Sequence, residues 1–193
     1  MENKLAKVKN EAPPIPGNLA YIIAGKPRKN KHSPVDTAFA DFLWCIKVRS
    51  KDITHLYITG ILIEPAKIIA TDGRRLHVIV NPYPSIPSGE YEIYGINQSK
   101  VILIAKPDRL FPDWNRPSVT MEGNTLEHEI AIDNPVYFYT EILKHRPFEI
   151  KYLQDAISDE PMNVRIYGER QPVIITTLTR TAIVMPLLDR KVN

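Results

Sequence analysis

With 193 residues, the chain is long enough to bury a core and to hold one large domain or two small ones. Hydrophobic residues make up 44% and charged residues 24%, the balance of an ordinary globular protein, and no apolar run approaches the ~20 residues of a membrane-spanning helix. The single cysteine, Cys45, excludes an internal disulfide and a multi-cysteine metal site, and a net charge of +3 permits contact with nucleic acid without demanding it. No apolar segment follows the N-terminal lysines as a secretory leader would require, so a cytoplasmic protein is expected.

Residues 1–32 combine Pro13, Pro14, Pro16 and Gly17 with a basic cluster, Lys26, Arg28, Lys29 and Lys31, and read as an arm in which only residues 19–24 have the character of an edge strand. The arm's cations are either solvated charge or contacts for phosphate. Ser33-Pro34 reads as a helix start, with Ser as cap, Pro in the first helical position and Asp36 in the first turn. Val35, Ala38, Phe39, Phe42, Leu43 and Ile46 then share one apolar face, which predicts a helix packed on a sheet. Lys47, Arg49 and Lys51 form a basic exit, open to the same two readings as the arm. Residues 53–63 are mostly β-branched or aromatic around Gly60, and predict two short strands or one interrupted by a bulge.

The strongest short-range signal comes next. Ile68-Ile69-Ala70-Thr71 runs into Asp72-Gly73, a hairpin turn, and Leu76, Val78 and Val80 alternate on the way out. Residues 81–89 form a proline-rich loop and 90–96 a strand, while 101–104 fit a buried strand or a short helix equally well. Between Pro107 and Pro117, Phe111-Pro112-Asp113-Trp114 cannot lie inside a regular sheet and reads as a connector whose aromatics anchor elsewhere. A hairpin is expected from 118–121 and 126–132 around Gly123-Asn124, mixed character with helical content near 140–144 over 135–145, and a helix over 148–157. Strands at 163–167, 173–177 and 181–187 close the chain. The sum is an α+β fold of antiparallel sheets packed on a few helices, with the arm at 1–32, a subdomain at 33–110 and a second at 111–193.

Catalytic chemistry finds little support. The five histidines are scattered with no i, i+4 pair, no Gly-rich phosphate loop is present, and Asp72 and Asp113 sit where a turn or connector favours Asp. Neither a catalytic group, a cofactor nor a metal site is assigned; an enzyme of an unrelated α+β fold stays as the rival reading.

Several stretches, in one order, resemble the bacterial sliding clamp family, the β subunit of DNA polymerase III. These are the strand pair ending at Glu64, Ala70-Thr71-Asp72-Gly73-Arg74-Arg75-Leu76, Phe111-Pro112-Asp113-Trp114 with Arg116, Ile150 to Ile157, and the closing pair Gln171 to Ile175 and Ile183 to Leu187. The resemblance spans about residues 33–82 and 108–188, and Arg74 stands where the family has His. It implies a DNA-clamp-like fold, a non-catalytic role in DNA replication as a processivity factor, and a pocket that receives short motifs of polymerase, clamp-loader or repair proteins. Carried over by position, the pocket comprises Ile58, Thr71, Gly73, Arg74, Arg75, Leu76, Pro112, Ile183, Met185, Pro186 and Leu187. Candidate DNA contacts, to phosphate only, are Lys26, Arg28, Lys29, Lys31, Lys47, Arg49 and Lys51. The shortened stretch 83–107 and the altered ending at Leu188-Asp189 argue against a closed ring, and leave a non-ring adaptor or decoy with the same pocket as the alternative.

Overall fold

A computed structural model describes residues 20–25, 36–97, 99–116, 121, 124–145, 147–158, 160–168 and 170–187. Lys26, Arg28, Lys29 and Lys31 lie outside them, as do Leu188 and Asp189. In chain order the elements are β1 (Ala20–Ala24), α1 (Thr37–Ile46), β2 (Ile61–Ile63), β3 (Lys67–Thr71), β4 (Arg75–Val80), β5 (Gly89–Ile96), β6 (Lys100–Ala105), β7 (Leu126–Ile132), α2 (Pro135–Leu143), α3 (Ile150–Ala156), β8 (Met162–Tyr167), β9 (Val173–Thr176) and β10 (Arg180–Val184). The ten strands form one antiparallel sheet in the order β1-β6-β5-β2-β3-β4-β10-β9-β8-β7. This α+β architecture is the class expected from the sequence.

The β3–β4 hairpin sits at the middle of that sheet. β4 continues it into β10, with Leu76 opposite Ile183 and Arg75 opposite Val184. Strands from residues 20–105 thus join strands from 126–184 through this one ladder. Both sheet faces are covered here, which is why β4 is buried at every position except Val80. Ile68, Ala70 and Ile79 face α1 and pack with Phe39, Phe42, Cys45 and Ile46. Ile69, Leu76 and Val78 face the other way and pack with Ile174, Ile183, Met121 and the connector residues Phe111 and Trp114. A third cluster, around Phe138, Leu153, Val164 and Val184, lies under α2 and α3, and Trp44 of α1 packs against both helical-side clusters.

Polar contacts fix α1 across the central ladder. Asp41 accepts from Arg180 Nε at 2.7 Å and from Thr179 Oγ1 at 2.9 Å. His77 is fully buried and stacks on Trp44 with ring centroids 3.8 Å apart. Burial pushes its imidazole down to about 3, although hydrogen bonding to the Trp44 carbonyl works in the opposite direction. The Cys45 thiol lies 3.4 Å from the Ile68 carbonyl oxygen, and burial raises its pKa far above the ordinary range.

Several local expectations are corrected. The cap of α1 is Asp36, whose Oδ1 accepts from the Phe39 N–H at 3.1 Å; Ser33, Pro34 and Val35 lie outside the described residues. Within 53–63 only Ile61–Ile63 is strand. Asp52 accepts from Thr54 N–H at 2.9 Å and Thr54 Oγ1 at 2.7 Å, and this local turn, followed by a 3-10 turn at Leu56–Ile58, takes the place of a first strand. Gly60 is required there, because a Cβ would stand 2.4 Å from the Tyr91 carbonyl oxygen. The ambiguous stretch at 101–104 is strand β6, paired on both sides by β5 and β1. Met121 lies outside any strand, at φ 62°, and β7 pairs with β8. Residues 118–120 and Gly123 of the expected hairpin are not among those described.

Candidate functional site

Asp72 organises the turn between β3 and β4. Its Oδ1 accepts from the N–H groups of Arg74 and Arg75 at 3.0 and 3.1 Å, and its Oδ2 accepts from Arg75 Nε at 3.0 Å. Thr71 Oγ1 donates to the Arg75 carbonyl at 2.7 Å and accepts from the Gly73 N–H at 3.0 Å. Gly73 has φ +86°, which a residue with a side chain adopts only under strain. The turn is therefore rigid, and its flank receives the end of β10: the Met185 N–H donates to the Arg74 carbonyl at 3.0 Å.

The connector is fastened from below. Trp114 Nε1 donates to Glu64 Oε1 at 3.0 Å, and Lys67 Nζ sits 4.7 Å above the Trp114 ring. The Phe111 N–H donates to Glu90, whose carboxyl burial shifts upward. Arg109 reaches Glu92 Oε2 at 3.3 Å, which Lys106 also meets at 2.9 Å. These contacts hold Phe111, Pro112 and Trp114 opposite the turn.

Between turn, connector and β10 lies a cavity of about 220 Å³. Nine of the eleven pocket residues expected from the sequence line it: Ile58, Thr71, Gly73, Arg74, Arg75, Leu76, Pro112, Ile183 and Met185. Pro186 and Leu187 do not. β10 ends at Val184, and the Leu187 N–H bonds to the Pro147 carbonyl at 3.1 Å, which carries the chain toward the α2–α3 loop. The lining also includes Tyr57, Phe111, Asp113, Trp114, Arg116 and Pro172. Phe111 and Trp114 carried a signal, since two rings between prolines need an anchor; Tyr57 and Pro172 lie in stretches that carried the resemblance but were not assigned to the pocket.

Of the candidate DNA contacts within the described residues, Lys47, Arg49 and Lys51 line a second cleft of about 420 Å³, together with Arg74, Arg75 and Lys151. Asp155 of α3 is buried at its base and ion-paired with Arg75 and Lys47. Burial alone would raise the Asp155 pKa, but the hydrogen bonds from Lys47 and Arg75 outweigh it and hold the carboxyl below the usual range. The Arg75 guanidinium also lies 4.4 Å from the Tyr152 ring centroid. Sequence reasoning missed Asp155, because nothing local marks a carboxylate whose partner is 80 residues away. Among the described residues, no group of three or more His, Cys, Asp or Glu is placed to hold a metal ion, and no helix is long and apolar enough to cross a membrane.

A central antiparallel sheet, helices on one face and a cavity at the junction of two sheet halves together define a sliding-clamp architecture. The chain aligns with the C. crescentus beta sliding clamp at TM-score 0.57 and 13% identity, over 93% of this chain and 68% of that one. The Pseudomonas aeruginosa sliding clamp gives TM-score 0.55 at 14% identity, over 91% and 68%. The Helicobacter pylori beta clamp, solved with a DNA ligase peptide bound, gives 0.53 at 10%, over 92% and 68%. The chain thus spans about two thirds of the length of these clamps, and at such identities the likeness establishes the fold. No protein-family model and no curated protein matches the sequence.

Proposed function

We propose that this chain is a non-catalytic, clamp-like receptor for short linear motifs of replication or repair proteins. The observation that supports this reading most is the cavity itself: a rigid turn, a fastened aromatic connector and the end of β10 enclose an apolar space whose rim carries Arg74 and Arg116. Such a space suits aliphatic and aromatic anchors of an extended peptide, with Met185 as an adaptable wall and backbone carbonyls within reach of the rim cations. That a clamp of the same fold binds a DNA ligase peptide is consistent with it. The chain would act as two subdomains, 33–110 and 111–193, with the cavity at their junction. Contact with DNA, where made, would be to phosphate and without base readout.

The test is calorimetry of the full chain with a peptide bearing Gln followed by spaced Leu and Phe. A dissociation constant in the micromolar range, about −8 kcal/mol, is expected. A control with Leu and Phe replaced by Ala should not bind. Absence of binding by the first peptide, or equal binding by both, overturns the reading.

A further inference from the structure

The apolar cavity and the basic cleft are neighbours with a shared wall, since Arg74 and Arg75 line both. The turn that carries them stands at the end of β3 and β4, with the cavity on one side and the ends of α1 and α3 on the other. We infer that the peptide recognised here carries an acidic flank, which leaves the cavity across residues 72–75 and lies in the cleft. This rests on the peptide reading above and adds to it the charge and path of the ligand.

The charges of the cleft support this assignment. Its carboxylates are already engaged: Asp72 by the turn and Arg75, Asp155 by Arg75 and Lys47, and Asp52 by Thr54 and His55. Arg49 Nη1 donates to the Ile46 carbonyl at 3.0 Å. The cations left over are Lys51, Arg74 and Lys151, all exposed and, among the described residues, in no ion pair. With Arg49, whose bond to a carbonyl leaves its charge in place, they put four unneutralised cations around one concave space, and these attract an anion. The guanidinium of Arg74 sits on a backbone held by Asp72, so its planar fork is presented from a fixed base to a carboxylate. At about 420 Å³ the cleft is on the scale of side chains. It has no room for the body of a duplex, which would meet only its rim. A peptide seated in the cavity also reaches the cleft without a second binding event, because a single turn separates them.

The experiment compares four fluorescent peptides on the full chain by anisotropy: the core motif with neutral flanks, the core with three Glu added on one side, the core with three Glu added on the other, and the acidic peptide with its Leu and Phe changed to Ala. One of the two extended peptides is expected to bind about tenfold tighter than the core at low salt, with most of that gain lost when the Debye length falls to about 3 Å near 1 M salt. Lys51→Glu with Lys151→Glu, both at exposed positions, should abolish the gain and leave the core affinity unchanged. Equal binding of core and extended peptides in the wild type overturns the inference while the peptide reading stands. A gain that survives the double variant also overturns it. Displacement of the acidic flank, but not of the core, by a short duplex at equal concentration would reassign the cleft to phosphate. Failure of the core peptide itself overturns the peptide reading, and the inference with it.

Discussion

Met185 and Leu76 line the same cavity from the adjoining ends of β10 and β4, yet truncating them should have different consequences. Met185 is 39% exposed and follows the last residue of β10, so about two fifths of its surface is still available to a ligand. Full burial of a Met side chain is worth about 1.5–3 kcal/mol, so Met185→Ala should weaken peptide binding by about 0.6–1.2 kcal/mol, roughly three- to eightfold in Kd. It should leave the denaturant midpoint nearly unchanged. Leu76 is only 7% exposed and packs with Ile69, Val78, Ile174 and Ile183. Leu76→Ala should cost about 2–5 kcal/mol of folding stability, because it empties a space between strands that are fixed by their ladders. Calorimetry and urea unfolding on the two variants separate these effects. If Met185→Ala binds as the wild type does, or loses as much stability as Leu76→Ala, the cavity is not a site at which Met185 meets a ligand.

Two further predictions concern what holds the site together. The unfolded chain protonates His77 near 6.5 and the folded chain only near 3, so the unfolded state binds the extra proton between these values; stability should fall by about 1.4 kcal/mol for each pH unit below 6.5, and His77→Phe should remove that share of the slope. Chemical denaturation of both proteins from pH 4.5 to 7 checks this, and parallel slopes refute it; the Asp155 contribution is lost only as pH falls below the usual carboxylate value, outside that window. Asp155→Ala leaves the buried Arg75 with Asp72 and Tyr152 as its remaining partners, and should cost about 2–4 kcal/mol, whereas Asp155→Leu with Arg75→Met should cost less than the single change. Equal losses in the two proteins would mean that the charge left unpaired is not what destabilises.

The hairpin at the centre of the sheet was legible because its information is local: β-branched residues, an Asp whose side chain caps the turn and a Gly that adopts positive φ. The pocket was legible for a different reason, through resemblance of separate stretches, and the structure brings most of those residues to one cavity. What was not legible turned on a choice between neighbouring caps or on partners distant in the chain. Ser33-Pro34 is a good helix start taken alone, but Asp36 is the side chain that reaches the Phe39 N–H. The alternation in β4 leaves Arg75, His77 and Ile79 on the face that would be exposed, and α1, laid across His77 and Ile79, with Asp155 reaching Arg75, buries it. The aromatics at 111 and 114 announced an anchor without revealing that Glu64 and Lys67 supply it. Pro186 and Leu187 continue a strand pattern in sequence, yet the chain turns away toward Pro147.

The ladder between β4 and β10 bears on how the molecule is made. Arg75 pairs with Val184, roughly a hundred residues downstream, so parts of the cavity lining that touch one another are made far apart in synthesis. A nascent chain that has already built the β3–β4 hairpin and buried α1 against it still lacks the wall contributed by Ile183 and Met185. Until β10 emerges, β4 is an unpaired edge of β-branched residues, the kind of surface that invites pairing with another chain. Closing the sheet therefore removes that hazard and completes the cavity in the same step, so that a complete cavity is also the sign of a closed sheet.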